Sequence, residues 1–167
     1  MYLRYVGMMK SVCMRYAKDE MEAEDILQEA FISVFKNIKS YKSEGALGAW
    51  LRRITVNKAI EQFRKNKTLQ KLSENVGYFQ ADEDFEITVL NQLNLDDLIA
   101  KIATLPVGYR TVFNLYAIEG YTHKEIGEML KISPGTSKSQ YSRARNLLNE
   151  IITSEIEADK IRLNYAN

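Results

Sequence analysis

The sequence predicts an all-α protein built as two small helical domains joined by a flexible linker, the C-terminal one containing a helix-turn-helix. Three observations carry this. Apolar residues recur at three- and four-residue spacing in two long blocks, the stretch between the blocks mixes polar, acidic and scattered aromatic residues without a sustained period, and residues 122–145 read as two capped amphipathic helices around a tight turn. The expected division is 1–67, a 68–92 linker and 93–167. A chain of 167 residues with 46% hydrophobic content has length and apolar content for two such cores.

In the first block, Leu3, Val6, Met9, Cys13 and Tyr16 predict a helix of four turns from residue 2 to 16. A turn at Lys18 and Asp19 follows. The next helix, about 21–38, places Ala23, Ile26, Leu27, Ala30, Phe31, Val34 and Phe35 on its apolar side. Its outer face begins with Asp19, Glu20, Glu22, Glu24, Asp25 and Glu29, and the helix dipole accounts for some of these carboxylates but not all. An irregular stretch, 39–48, leads to a third helix at about 49–65. Trp50, Leu51, Ile54, Ala59 and Ile60 are its expected buried set, while Arg52, Arg53, Lys58, Arg64, Lys65 and nearby Lys67 face Glu61 alone. Three packed helices with one basic outer helix form a compact unit. Tyr41 and Lys42, in the loop beside it, interleave an aromatic ring with a cation, the combination that stacks an unpaired base and holds its phosphates.

The second block opens with a helix at 93–102, is broken at Leu105-Pro106, and continues as an apolar helix at 109–118 closed by Gly120. Thr122 and Glu125 then stand three apart, the spacing of a reciprocal capping box, so the next helix starts at 123. Ile126, Met129 and Leu130 form its apolar stripe. Lys131 and Ile132 turn the chain, and Ser133-Pro134 restarts it, because proline at a first helical position sacrifices no hydrogen bond. The last helix, 134 to about 150, turns Ser137, Tyr141, Ala144 and Leu148 inward. Thr136, Lys138, Ser139, Gln140 and Arg143 stay outside or on the flanks, short polar and cationic groups at the end a recognition helix presents to base edges. A solvated polar face on an ordinary helical packing unit is the competing reading.

The formal charge of +1 hides an uneven distribution. Residues 1–70 carry 13 basic and 8 acidic side chains, residues 71–104 carry 2 and 7, and residues 105–150 carry 6 and 4. Two basic blocks separated by an acidic one suit two nucleic-acid-binding units and a connection that avoids DNA. No apolar run approaches the roughly 20 residues that span a bilayer, and the first residues lack a signal-peptide core, so the expected location is the cytoplasm. Cys13, in an apolar pattern, and His123, just inside the capped helix, are read as packing residues. No metal or cofactor is expected, nor an enzyme. There is no His, Cys and carboxylate cluster, no glycine-rich phosphate loop, and no nucleophile beside a base.

Taken together, AEDILQEAFISVF at 23–35, AWLRRITVNKAIEQFRK at 49–65 and LPVGYRTVFNLYAIEGYTHKEIGEMLKISPGTSKSQYSRARNLL at 105–148 make the chain closely resemble a bacterial sigma-70-family initiation factor of the small, two-domain extracytoplasmic-function type. The resemblance implies a specificity subunit that joins core RNA polymerase, directs it to promoters and helps open the duplex. By the family pattern, the first domain engages the clamp of the largest subunit through Asp25, Gln28 and Glu29, with Phe35 near the rim; a solvated acidic helix start is the alternative. Tyr41, Lys42, Arg53, Asn57 and Lys58 would serve the melted non-template strand of the minus 10 element, with Asn57 holding a flipped base. The second domain would read the minus 35 duplex through Thr136, Lys138, Ser139, Gln140 and Arg143, with Arg145 supporting the helix or a phosphate clamp, and touch the flap of the other large subunit. An anti-sigma factor, commonly membrane-bound in this family, would hold the protein inactive at the inner membrane face.

Departures from that pattern fall in the recognition helix, where Ser137, Gln140 and Tyr141 stand for the usual Val, Arg and Leu, and ahead of Trp50, where Gly45-Ala46-Leu47-Gly48 replaces a Ser-Phe pair. Gln140 gives up a fixed charge but can bond adenine bidentately. The rival function is a stand-alone helix-turn-helix regulator. It leaves the acid-faced helix and the basic Trp50 helix without a purpose.

Overall fold

A computed structural model describes residues 2–41, 45–69 and 95–165. Most of the expected linker, and Lys42, lie outside the described residues. The chain forms two units, Met1–Asn75 and Val76–Asn167, and the described residues contain helices and no strand.

In the first unit α1 (Tyr2–Tyr16), α2 (Glu20–Asn37) and α3 (Leu47–Leu69) pack pairwise around Met9, Val12, Cys13, Ile26, Ala30, Val34, Leu51, Val56 and Ile60. Burying each large aliphatic side chain is worth about 1.5–3 kcal/mol, so this cluster is the main source of the unit's stability. Asp19 caps α2 by accepting from the Glu22 amide at 2.8 Å. Glu22 itself is buried and fully engaged: its carboxylate accepts from the Lys18 amide and from Asn66 Nδ2, each at 2.6 Å. One carboxylate thus ties the α1–α2 turn to the far end of α3. α3 itself runs past the expected end at 65, to Leu69.

The inward face of α1 differs from the expected one at Leu3, which is 89% exposed, while Val12 is buried. Leu3 stands six residues before Met9, about 120° round the helix from it at 3.6 residues per turn, and so falls off the stripe. In α3, Trp50 and Ile54 are only half-buried, and Thr55 and Val56 occupy the core instead. The Thr55 hydroxyl meets its own helix, donating to the Leu51 carbonyl at 2.9 Å, so its burial leaves no polar group unsatisfied. Cys13 is buried, and desolvation pushes its thiol up to about 12. The thiolate is the reactive form. A thiol reagent at pH 8 is therefore expected to label the native chain far more slowly than the urea-unfolded chain, as followed by mass spectrometry.

The second unit comprises α4 (Leu95–Thr104), α5 (Val107–Phe113), α6 (His123–Leu130) and α7 (Pro134–Tyr165), around Ile102, Leu105, Phe113, Ala144 and Leu148. Arg110 is buried, and its guanidinium donates to the Ala103 carbonyl at 2.9 Å, satisfying an orphan acceptor at the end of α4. After α5 the helix widens into a π-helical turn, Asn114–Ile118, with the Glu119 amide reaching the Asn114 carbonyl at 2.9 Å. Gly120 closes it at φ +78°, a conformation that favours glycine. The largest difference from the sequence expectation is α7, which continues past residue 150. Ile152 is buried, and Glu155 pairs with Lys101 of α4, so the extra turns have a partner to pack on.

Candidate nucleic-acid interface

The two helices of the expected motif are held at a fixed angle by their own termini. Thr122 and Glu125 form the reciprocal capping box: the Thr122 amide donates to the Glu125 carboxylate at 2.8 Å, and the Glu125 amide to the Thr122 hydroxyl at 3.3 Å. The Thr122 amide, and then the Thr122 hydroxyl donating to the same carboxylate at 2.7 Å, hold the Glu125 carboxyl below its ordinary value. At the other end of α6, Lys131 adopts the left-handed conformation, φ +57° and ψ +47°, and the Ile132 amide bonds back to the Gly127 carbonyl at 3.0 Å. Gly127 is where α6 and the turn touch most closely. A Cβ there would lie 2.8 Å from the Ile132 carbonyl oxygen and 3.5 Å from the Pro134 nitrogen.

Ser133 then opens α7, its hydroxyl accepting from the Thr136 amide at 2.9 Å. Ser137, Ala144 and Leu148 face inward, as expected, and Tyr141 is half-buried, its ring 5.7 Å from Phe113 and 4.6 Å from Tyr116. At 3.6 residues per turn the opposite, outward line runs through Gly135, Ser139, Ser142 and Asn146. Lys138 and Arg145 flank it on one side, Thr136 and Arg143 on the other. Ser142 and Asn146 are additions to the expected set, and the three- and four-residue spacing from Ser139 was the signal for them.

The expected reading residues are not equally disposed. Lys138 is exposed. The Ser139 hydroxyl donates to the Thr136 carbonyl at 3.0 Å, and the Thr136 hydroxyl lies 2.9 Å from that of Ser133. Arg143 donates to the Tyr109 hydroxyl at 3.3 Å, and the Arg145 guanidinium lies 5.8 Å from the centre of the Tyr141 ring. Gln140 leans toward α5: its carbonyl oxygen is 3.7 Å from where a Cβ on Gly108 would stand. That is ordinary van der Waals distance.

His123 occupies the inner side of the motif. Its ring stacks on Tyr116 at 4.3 Å and 8°, and its Nδ1 is 2.9 Å from the Ser137 hydroxyl. Burial, followed by the nearby Lys138 charge, lowers its pKa below the ordinary 6.5. The unfolded chain therefore binds the proton more readily. Stability from this site is fully present above about pH 6.5 and is lost as pH falls through the lower folded value. The melting temperature of the second unit should fall between pH 7.5 and 5.5, and His123→Asn should flatten that slope; Glu125, whose carboxyl is also depressed, acts only in a lower window.

In the first unit, Asp25, Gln28 and Glu29 are exposed on α2, and Phe35 is 58% exposed, its ring 6.2 Å from that of Phe31. Asp25 and Glu29 share a shallow groove with Lys58, Glu61, Gln62 and Lys65 of α3, where Lys58 pairs with Glu61 at 2.8 Å. Lys58 thus stands with the acidic set. Arg53 and Asn57, one turn apart, form a separate exposed line. Tyr41 is half-buried rather than free, its ring centre 5.3 Å from that of Trp50 and its hydroxyl donating to the Gly45 carbonyl at 2.7 Å. Gly45 takes φ +89°, so the residue that departs from the family pattern also supplies a backbone conformation favouring glycine.

Comparison with known proteins gives two family matches: Sigma-70 region 2 over residues 1–68, and Sigma-70, region 4 over residues 95–148. The ECF RNA polymerase sigma factor SigW of Bacillus subtilis (strain 168) is 36% identical over 156 residues, covering 87% of this chain and 83% of the relative. SigE of Mycolicibacterium smegmatis is 30% identical, covering 83% of this chain and 54% of its own. Among solved structures, the sigma factor RpoE from Bartonella quintana, crystallised with the anti-sigma factor NepR, superposes with a TM-score of 0.53 at 23% identity, covering 91% of this chain and 94% of that one.

Proposed function

The chain belongs to the extracytoplasmic-function branch of the sigma-70 family, and we propose that within this promoter-specificity subunit the two units divide the DNA by strand state. The protein binds core RNA polymerase and directs transcription initiation at promoters. The stand-alone regulator is not favoured, because a region 2 match over residues 1–68 gives the first unit the purpose that reading lacked. We read the subunit as non-catalytic.

The observation that carries the assignment of the second unit is the outward line of α7, short polar side chains bordered by cations, starting at a helix N-terminus. Ser139 and Ser142 are small enough to let the backbone approach base edges in the minus 35 duplex, and Asn146 extends the line. Lys138, Arg143 and Arg145 neutralise phosphates, Thr136 contacts the backbone near the entry, and Gln140 reaches adenine by swinging away from Gly108. On the first unit, Arg53 and Asn57 with Tyr41 and Lys42 hold the melted minus 10 strand. Lys58 joins them from the groove edge, while Asp25, Gln28, Glu29 and Phe35 meet the polymerase clamp.

A run-off assay with core polymerase tests the reading. Initiation at defined start sites, absent with either component alone, is the expected result; no sigma-dependent initiation on genomic fragments would overturn it. Replacing Lys138 by Ala should weaken minus 35 binding across sequences and reduce the salt slope by about 1. Fluorescence titration of the holoenzyme at several salt concentrations measures it. An anti-sigma partner is proposed too, and with a membrane-anchored one the protein would be held at the inner membrane face rather than the nucleoid. No helix among the described residues is long and apolar enough to cross a membrane.

A further inference from the structure

Ile126 and Leu130 of α6 are buried, and apolar contact is non-directional, so it sets the rotation of α7 about its own axis less sharply than a hydrogen bond does. Among the described residues, a directional contact joins α6 to the start of α7. The Ser137 hydroxyl, on a side chain that is 0% exposed, lies 2.9 Å from His123 Nδ1. The imidazole is itself fixed on its other side, stacked on Tyr116 at 4.3 Å and 8°. Tyr116 belongs to the π-helical turn. Ser137 stands between Thr136 and Lys138 and two positions before Ser139, within the second turn of α7.

We propose that His123 is a positioning residue for minus 35 readout: braced by Tyr116, it sets the rotation of α7 through the Ser137 hydroxyl, and so determines where Lys138, Ser139 and Ser142 meet the bases. The assignment rests on the minus 35 reading of α7 given above. Its physical logic is that a recognition surface needs placement to within about 0.5 Å, which comes from locked supporting contacts rather than from the reading residues themselves. It also gives a purpose to Ser137, an otherwise unfavourable replacement for an apolar residue in a buried position. A hydroxyl left there without a partner would be costly, and with His123 it becomes the contact that specifies orientation.

The experiment compares base preference across a minus 35 library, transcribed by holoenzymes carrying wild type, His123→Phe, His123→Asn or Ser137→Ala, with thermal melting of each full chain. Phenylalanine keeps a ring on Tyr116 and loses the hydrogen bond; asparagine keeps a polar atom near the Nδ1 position and loses the ring. His123→Phe and Ser137→Ala, which remove the hydrogen bond, and His123→Asn, which removes the ring that braces it, should each reduce discrimination between the preferred and singly substituted elements about fivefold or more. Should His123→Phe fail to fold, Ser137→Ala makes the same cut with one atom removed. Unchanged discrimination in Ser137→Ala, or losses that only follow the fall in melting temperature, would overturn the assignment. Lys138→Ala and Ser139→Ala serve as controls: if neither alters binding or preference, the minus 35 reading itself fails, whereas an effect there without one at Ser137 overturns the role of His123 alone.

Discussion

Gly127→Ala should destabilise the second unit by about 1–3 kcal/mol, as overpacking does, even though alanine is the better helix former. The two effects have opposite signs. In an unobstructed helix, replacing glycine by alanine gains roughly 0.5–1 kcal/mol. Here the new Cβ would stand 2.8 Å from the Ile132 carbonyl oxygen, and that neighbour is backbone, which cannot rotate aside. Relief requires the turn to open, which strains the Ile132 amide bond to the Gly127 carbonyl and moves the start of α7. Against a total stability that is commonly 5–15 kcal/mol, the loss is large, and it falls on the element proposed to face DNA. Thermal melting and minus 35 duplex binding by the holoenzyme should fall together. A melting temperature at or above wild type would mean that the turn accommodates the methyl group.

Reversing Asp25 and Glu29 together to Lys should weaken association with core polymerase at least about tenfold, close to 1.4 kcal/mol, by replacing complementary charges with like ones at the contact. Both carboxylates are exposed, so the fold should survive. Net charge alone could mimic the effect, and Glu24 separates the two explanations. It lies beside Asp25 in sequence but is turned toward α1, where its carboxylate is 3.5 Å from Lys10 Nζ. Glu24→Lys makes the same charge change as either single reversal, and it should leave core affinity nearer to wild type than Asp25→Lys or Glu29→Lys does. Equal losses from Glu24→Lys and from each single reversal, measured by competition for fluorescent core polymerase, would argue for a long-range charge effect instead of a clamp contact.

What could be read from the chain was whatever depends on neighbours in sequence. The Thr122 and Glu125 capping box, the restart at Ser133-Pro134 and the inward placement of Ser137, Ala144 and Leu148 follow from spacing alone, and each is found where the spacing puts it. Leu3 shows the limit at a helix end, where one apolar residue can sit off the stripe without disturbing the pattern. The length of α7 depended on Lys101, 54 positions away from Glu155. Nor does any period announce that Gln140 leans on Gly108, that Tyr41 rests on Trp50, or that a π-helical turn brings Tyr116 beneath His123. Those contacts join residues through the fold. Residue types nominated the candidate site; its internal supports became visible only in three dimensions.

The continuation of α7 to residue 165 turns the proposed recognition helix into a lever. Its 32 residues make a rod about 48 Å long, gripped by the core near Ala144, Leu148 and Ile152, with the base-facing end on one side of that fulcrum and the end beyond Glu155 on the other. A helix is stiff over such a distance, so a tilt imposed by docking at the DNA end reappears with opposite sense at the far end. Mechanical force or a bound protein applied beyond the fulcrum would, by the same geometry, turn the reading face against the groove. The end beyond Glu155 thereby has leverage over the end proposed to read DNA.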